Sequence, residues 1–250
     1  MTQHTIRRRC VAFLAIGAMA ALAMPSTAQA APQLADLGVK QSMSVKASNG
    51  ESLEGKDLRA IQLATYTAAS VDGNTIVGYD LATNTALAPD ITAAAKTAGA
   101  TDANLTVNGK NDPMAWVVKN LTDSRSDLWS GKLRNFCNSL AKQTNFAKQE
   151  GTAVATASQD KTTMSTGNVL VPGIYAIVDR TPAITTPSSG TAVKTTAFIM
   201  MMNGTAVNGI SQLRTASGTT LTLGQVIYKV SSVEAPDKKV NVGSTWKDSA

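Results

Sequence analysis

Apolar and polar residues alternate in short runs from Gln41 onward, broken by Asn, Gly, Ser and Thr. Met43 and Val45 alternate with polar neighbours and stop at Asn49-Gly50, a hairpin-type turn signal. Leu58-Arg59-Ala60-Ile61-Gln62-Leu63 predicts a second strand, and Asp72-Gly73 turns into a third at Thr75-Ile76-Val77-Gly78-Tyr79. Together these predict a β-meander. The period then changes. Asp90 before Ile91–Ala98 and Gly99 after it predict a short capped helix. Asp112-Pro113 opens a run with Met114, Val117, Val118 and Leu121 at i, i+3, i+4 and i+7. Trp129, Leu133, Phe136, Cys137 and Leu140 then form one apolar stripe about three turns long.

Strand texture returns at Val169. Val169-Leu170-Val171-Pro172-Gly173 leads into Ile174-Tyr175-Ala176-Ile177-Val178, an unbroken apolar run of the kind buried on both faces. Thr181 to Gly190 predicts a loop, Ala197 to Met202 a strand, and Leu221 to Val230 the last clear strand. Strands, helices and strands again predict a mainly β (α+β) fold: an Ig-like β-sandwich with two to three helices inserted around residues 90–148. An open α+β fold is the competing plan.

The start of the chain follows a different rule. Arg7, Arg8 and Arg9 precede an apolar run, Val11–Met24, and Ala28-Gln29-Ala30 has the small-x-small form of a cleavage site. That is a secretory signal over residues 1–30, cut between Ala30 and Ala31, with an apolar part too short to span a membrane. It contains three of the 23 basic residues and none of the 17 acidic ones, which leaves +3 over the remaining 220 residues. It also contains His4, the one histidine, and Cys10, one of two cysteines.

These losses exclude whole classes of chemistry from the processed chain. Without histidine there is no Ser-His or Cys-His catalysis and no histidine metal site. Cys137 alone forms no internal disulfide. A balance of +3 without basic blocks gives no electrostatic footprint for nucleic acid, and no later apolar stretch approaches the ~20 residues of a membrane span. Ser139-Leu140-Ala141-Lys142 matches the S-x-x-K pattern of serine acylases, but the K-T-G and S-D-N companions are missing. Cys137 beside Phe136 reads as a small buried hydrophobe that no histidine activates. Asp57, Asp72, Asp80, Asp90, Asp102 and Asp112 stand mostly isolated at turns and caps, without the D-x-D-x-D-G spacing of a calcium loop. Asn104, Asn120 and Asn203 head sequons that arise by chance in such a chain. No cofactor and no enzymatic activity is expected. The alternative is a secreted carbohydrate-binding module, or a glycoside hydrolase using a carboxylate pair.

Six segments, taken in order, carry a resemblance. They are Leu58–Tyr66 (LRAIQLATY), Gly78–Asn84 (GYDLATN), Asp112–Asp123 (DPMAWVVKNLTD), Lys132–Ala141 (KLRNFCNSLA), Val169–Asp179 (VLVPGIYAIVD) and Pro236–Ala250 (PDKKVNVGSTWKDSA). Over residues 41–250 the chain resembles the N-terminal region of a Gram-positive, sortase-assembled fimbrial subunit, a pilin. The resemblance implies a signal peptide at 1–30, an Ig-like pilin N-terminal domain with a helical insertion at 31–235, and at 236–250 a linker and the first strand of an incomplete second Ig-like domain. It implies a secreted protein of the cell surface and cell wall with a structural and adhesive role. Its partners would be other pilin subunits, sortase, and host glycans or extracellular matrix.

Such pilins are strengthened by isopeptide bonds between lysine and asparagine. A desolvated lysine is neutral and nucleophilic, and a protonated carboxyl beside it polarises the amide. On this resemblance Lys239 or Lys238 is the isopeptide lysine of the second domain, its partner lying beyond Ala250. In the first domain, Lys40 or Lys46 with Asn203 or Asn208 is the conceivable pairing. The chain departs from the family in two places. Ile227-Tyr228-Lys229 lacks the proline of the Val-Tyr-Pro-Lys linkage motif, and no LPXTG sorting motif is present. A fragment of a longer product and a truncated secreted domain are both compatible with this.

Overall fold

The computed structural model describes residues 31–250 apart from 49, 108, 122–130, 182–183, 186–192, 198–199, 216–217, 229, 235–238, 243–244 and 249–250. After the short β1 (Gln33–Leu34), β2 (Ser44–Ala47) realises the predicted alternation: Val45 and Ala47 are buried and Lys46 is exposed. β3 (Leu58–Asp72) runs fifteen residues, well past the predicted Leu63. Its continuation is small and polar, and bulges near Tyr66 and Ser70 let it bend while it stays paired. The loop Gly73-Asn74 returns it to β4 (Thr75–Thr83) with Asp72 opposite Thr75. Gly73 takes φ +57° at the first loop position, the glycine place of a type II′ turn, whose twist suits a hairpin. The meander is corrected to this one hairpin, because β2 joins a different sheet.

The helical insertion spans 88–147, close to the predicted 90–148. α1 (Ala88–Thr97) carries Pro89 in its first turn and stops where Gly99 takes φ +103°. Asp90 lies inside that first turn and does not cap it. A 3₁₀ turn (Asp102–Asn104) and a minimal hairpin, β5 (Thr106–Val107) with β6 (Lys110–Asn111), lead to α2 (Pro113–Leu121). α2 begins on proline, whose missing N–H would be unpaired there anyway. α3 (Lys132–Leu140) buries Phe136, Cys137 and Leu140 as the stripe requires; Trp129 lies outside the described residues. α4 (Thr144–Ala147) is a single turn that buries Phe146.

The second half supplies β7 (Thr152–Ala153), β8 (Thr156–Ala157), β9 (Thr163–Ser165) and β10 (Gly173–Asp179). β11 (Ile184–Thr185), β12 (Val193–Ala197), β13 (Met200–Gly204), β14 (Gln212–Arg214) and β15 (Thr220–Thr222) follow. β16 (Gln225–Tyr228), β17 (Val230–Glu234), β18 (Lys239–Val242) and β19 (Thr245–Asp248) complete the order. Two predicted strands divide. Ala197–Met202 falls across β12 and β13, which lie in different sheets. Leu221–Val230 falls across β15, β16 and β17 in three sheets, the first break made by Gly224 at φ +78°.

The larger sheet runs β13-β10-β3-β4-β14-β15, with β1 and β7 also on β3; the smaller runs β16-β2-β9-β8. β11-β12-β17 and the hairpin β18-β19 are separate. Ile61, Leu63, Ile174, Ala176 and Val178 share one apolar cluster with Ile91, Val117, Phe136 and Phe146 of the helices. Leu58, Ala60, Tyr175 and Ile177 share another with Met43 and Val45 of the smaller sheet and with Tyr228. β10 therefore serves both clusters, which explains its unbroken apolar run: helices cover one face of the larger sheet and the smaller sheet covers the other. The molecule is a mainly β sandwich with a helical insertion.

Candidate functional site

β10 ends its apolar run on a carboxylate. Asp179 has a side chain only 5% exposed, so burial next to Ile177 and Val178 is tolerable only if its charge is matched. Lys56, 11% exposed and just ahead of β3, brings its Nζ to 3.9 Å from Asp179 Oδ2. The Tyr228 hydroxyl, from the end of β16, donates to the same Oδ2. The other oxygen, Oδ1, accepts from the Thr181 N–H at 2.8 Å. Thr181 Oγ1 accepts from the Asp57 N–H at 2.8 Å, and the Arg180 N–H donates to the Asp57 carbonyl at 2.8 Å. The Lys56 ammonium also lies 5.8 Å from the Tyr228 ring centroid, within cation–π range. Burial first, and then the hydrogen bond to Asp179 and its charge, raise the Tyr228 phenol above its ordinary pKa. It stays a neutral donor across physiological pH.

The cluster ties three segments: the approach to β3, the end of β10 and the end of β16. It is an ion pair with a phenol donor, and it fastens the two sheets to each other. Sequence reasoning missed it. The available signal was a charged residue ending a fully apolar strand, which must find a partner wherever it is buried.

The residues singled out from sequence fall elsewhere. Ala31 is exposed and Ala30 lies outside the described residues, as do Lys229 and Lys238. Lys239 opens β18 opposite Asp248. Lys40 and Lys46 are exposed. The Asn203 amide donates to the Thr222 and Gln225 carbonyls at 3.1 and 2.6 Å, while Asn208 sits in a turn at φ +47°. The structure thus gives those asparagines local backbone roles. Ser139 Oγ lies 3.2 Å from Thr97 Oγ1 on the helical surface. Cys137 is buried, and desolvation pushes its thiol up to about 12, against a smaller opposing effect of Arg134. A thiol held protonated in this way is no nucleophile.

Four of the turn carboxylates are engaged separately. Asp57 pairs with Arg59 at 2.6 Å and Asp102 with Lys96 at 2.6 Å. Asp112 receives the Ala115 N–H at 3.4 Å and the Thr83 hydroxyl at the start of α2. Asp90 reaches across to α4. Among the described residues, no group of three His, Cys, Asp or Glu side chains is placed to hold a metal ion, and no helix is long and apolar enough to cross a membrane. In comparisons with known proteins, no family model matches the chain, and neither does any curated protein or solved structure.

Proposed function

We propose that this chain is a secreted fimbrial subunit or surface-adhesin domain, whose work is structural and adhesive. The observation that carries this reading is the pairing of β2 with β16. The first strand of the smaller sheet and its last lie side by side and parallel, Ser44 opposite Gln225 through Ala47 opposite Tyr228. In a parallel pair the chain enters at one end of the ladder and leaves at the other. Tension that reaches the ladder through the start of β2 and the end of β16 loads its interstrand hydrogen bonds together, in shear, instead of peeling them one at a time. The Lys56–Asp179–Tyr228 cluster sits at the exit of that ladder and fixes Tyr228 to the larger sheet. A domain built this way suits a fibre under load.

The sequence resemblance supports the same reading and supplies the partners: sister subunits, a sortase and host glycans or matrix. Lys239 is its candidate isopeptide lysine. The test is expression of the full open reading frame beside a sortase in a Gram-positive host. Ladders of detergent-resistant polymer carrying this chain at the cell surface are expected. A monomer released to the medium, with no polymer, overturns the proposal. Intact mass reads the Lys56–Asp179 contact directly: an ion pair leaves the mass of the processed sequence, whereas condensation to an amide removes one water.

A further inference from the structure

Asparagine followed by glycine occurs four times, at Asn49, Asn108, Asn203 and Asn208. Such a pair is chemically unstable: the glycine nitrogen can attack the asparagine Cγ, and a glycine has no Cβ to shield that nitrogen. Asn49 and Asn108 lie outside the described residues, so the structure compares Asn203 with Asn208. Asn203 is held away from the reaction. It lies extended in β13, opposite Tyr175 of β10. Its Nδ2, the group that would leave, donates to the Thr222 and Gln225 carbonyls at 3.1 and 2.6 Å. Its Oδ1 accepts from the Gly204 N–H at 2.8 Å, and Gly204 is buried away from solvent base. Asn208 is placed the other way. The Val207 N–H donates to the Ile210 carbonyl at 3.0 Å and the Ile210 N–H to the Val207 carbonyl at 2.9 Å, which leaves Asn208-Gly209 as a two-residue loop. Their φ values, +47° and +79°, are those of a type I′ turn. Both residues are exposed, and among the described residues the Asn208 side chain has no hydrogen-bond partner. The Gly209 N–H makes one long bond, to Gln41 Oε1 at 3.4 Å.

We infer that Asn208 is a self-modifying site, which converts in the folded protein to aspartate and isoaspartate while Asn203 persists. The Gly209 nitrogen gives its proton to solvent base and bonds to Asn208 Cγ. The Cγ–Nδ2 bond breaks, and the amide group leaves as ammonia after taking up one proton. This closes a succinimide ring, which water then opens. Breaking the new Cγ–N bond yields aspartate. Breaking the original backbone C–N bond yields isoaspartate, in which the chain runs on through the side chain. Water is the one co-reactant, and nothing is oxidised or reduced. Closing the ring at Asn208 disturbs an exposed loop, whereas closing it at Asn203 requires β13 to leave β10. Either product sets a carboxylate beside Gln41, and isoaspartate lengthens a loop that leads directly from the fully buried Val207. The turn between β13 and β14 therefore loosens as the protein ages. The inference stands on this turn and is independent of the fimbrial reading.

The test incubates the processed full chain in mildly alkaline buffer prepared with heavy-oxygen water, which labels the carboxylate formed when the ring opens. Trypsin then releases Thr195–Arg214, a single peptide that carries both asparagines, and its fragment masses assign the label to one or the other. In the native protein Asn208 is expected to react roughly tenfold faster than Asn203 or more, since Asn203 reacts only when its strand opens. In urea that unfolds the chain, the two rates are expected to become similar. Comparable rates in the native protein overturn the inference, as does faster reaction at Asn203. So does a native Asn208 that takes up no label over the time in which the unfolded chain reacts. A preference for Asn208 that persists undiminished in urea overturns it as well, because neighbouring residues in sequence and not the fold would then be its cause.

Discussion

Asp90 is 6% exposed and both of its carboxylate oxygens are occupied. Oδ2 accepts from the buried Phe146 N–H at 2.8 Å and Oδ1 from the Asn145 side-chain amide at 3.1 Å. α4 is a single turn, too short to persist alone, so this carboxylate from α1 helps hold it, through the Phe146 N–H and the Asn145 side chain. Asp90→Ala leaves a buried N–H unpaired and is expected to cost about 1–3 kcal/mol in urea unfolding. Amide exchange at Phe146 should quicken more than the loss of global stability explains. Buried acids give a second prediction. Desolvation raises Cys137 from 9.0 to about 12, and burial raises the Tyr79 and Tyr175 phenols from 10.0 to about 12. Each keeps its proton in the folded state at pH values where the unfolded chain has lost it. Above the unfolded pKa the unfolded state therefore binds fewer protons, and stability falls as pH rises. The urea midpoint is expected to hold steady up to about pH 8.5 and to decline between about pH 9 and 12. Cys137 in the native protein should not react with a thiol reagent at about pH 8.

β10 lies against β3 so closely that one position tolerates no side chain. A Cβ on Gly173 would meet the Ala64 carbonyl oxygen and lie 3.1 Å from Thr65 Cα, backbone atoms that cannot swing aside. Gly173→Ala is expected to reach or exceed the roughly 1–3 kcal/mol of ordinary overpacking, read as a drop in melting temperature. Gly78→Ala on β4, where a Cβ meets nothing within 4 Å, is its control. That change should stay within about 0.5 kcal/mol. What could be read from the sequence follows the same division between local and distant causes. The β10 core, the α2 and α3 stripes and the β3–β4 turn were legible, because spacing and one glycine or proline decide each of them locally. The length of β3 was not, since the mostly alanine, serine and threonine stretch beyond Leu63 carries no period and is held extended by pairing with β4, the start of β10 and β1. The split of Leu221–Val230 turned on Gly224, whose positive φ sends β16 to another sheet, and an isolated glycine in an apolar run does not announce its φ. The Lys56–Asp179–Tyr228 cluster joins residues 49 to 172 positions apart, a separation that no local pattern encodes.

At the scale of the whole molecule the parallel β2–β16 ladder predicts how the domain fails under force. The Ser44 N–H donates to the Gly224 carbonyl and the Ser48 N–H to the Tyr228 carbonyl, at 2.8 and 2.9 Å. In a parallel ladder alternate residues face the same neighbour, so the Lys46 N–H between them faces β16 as well. Lys46 itself is exposed, so Lys46→Pro removes no buried side chain; it deletes the central donor of the ladder and, in a strand flanked by β16 and β9, lowers stability as well. Pulling a single molecule by its two ends should then give a markedly lower unfolding force. Pulled instead along a direction that peels β4 from β14, the variant and the parent should differ much less. Tyr228→Phe removes only the phenol that donates to Asp179 and leaves Lys56 to match the charge. It is expected to lower the end-to-end force less than Lys46→Pro while costing about 0.5–1.5 kcal/mol at equilibrium. Equal forces for parent and Lys46→Pro would mean that the ladder bears no load. The support it lends to a fibre subunit would then be lost.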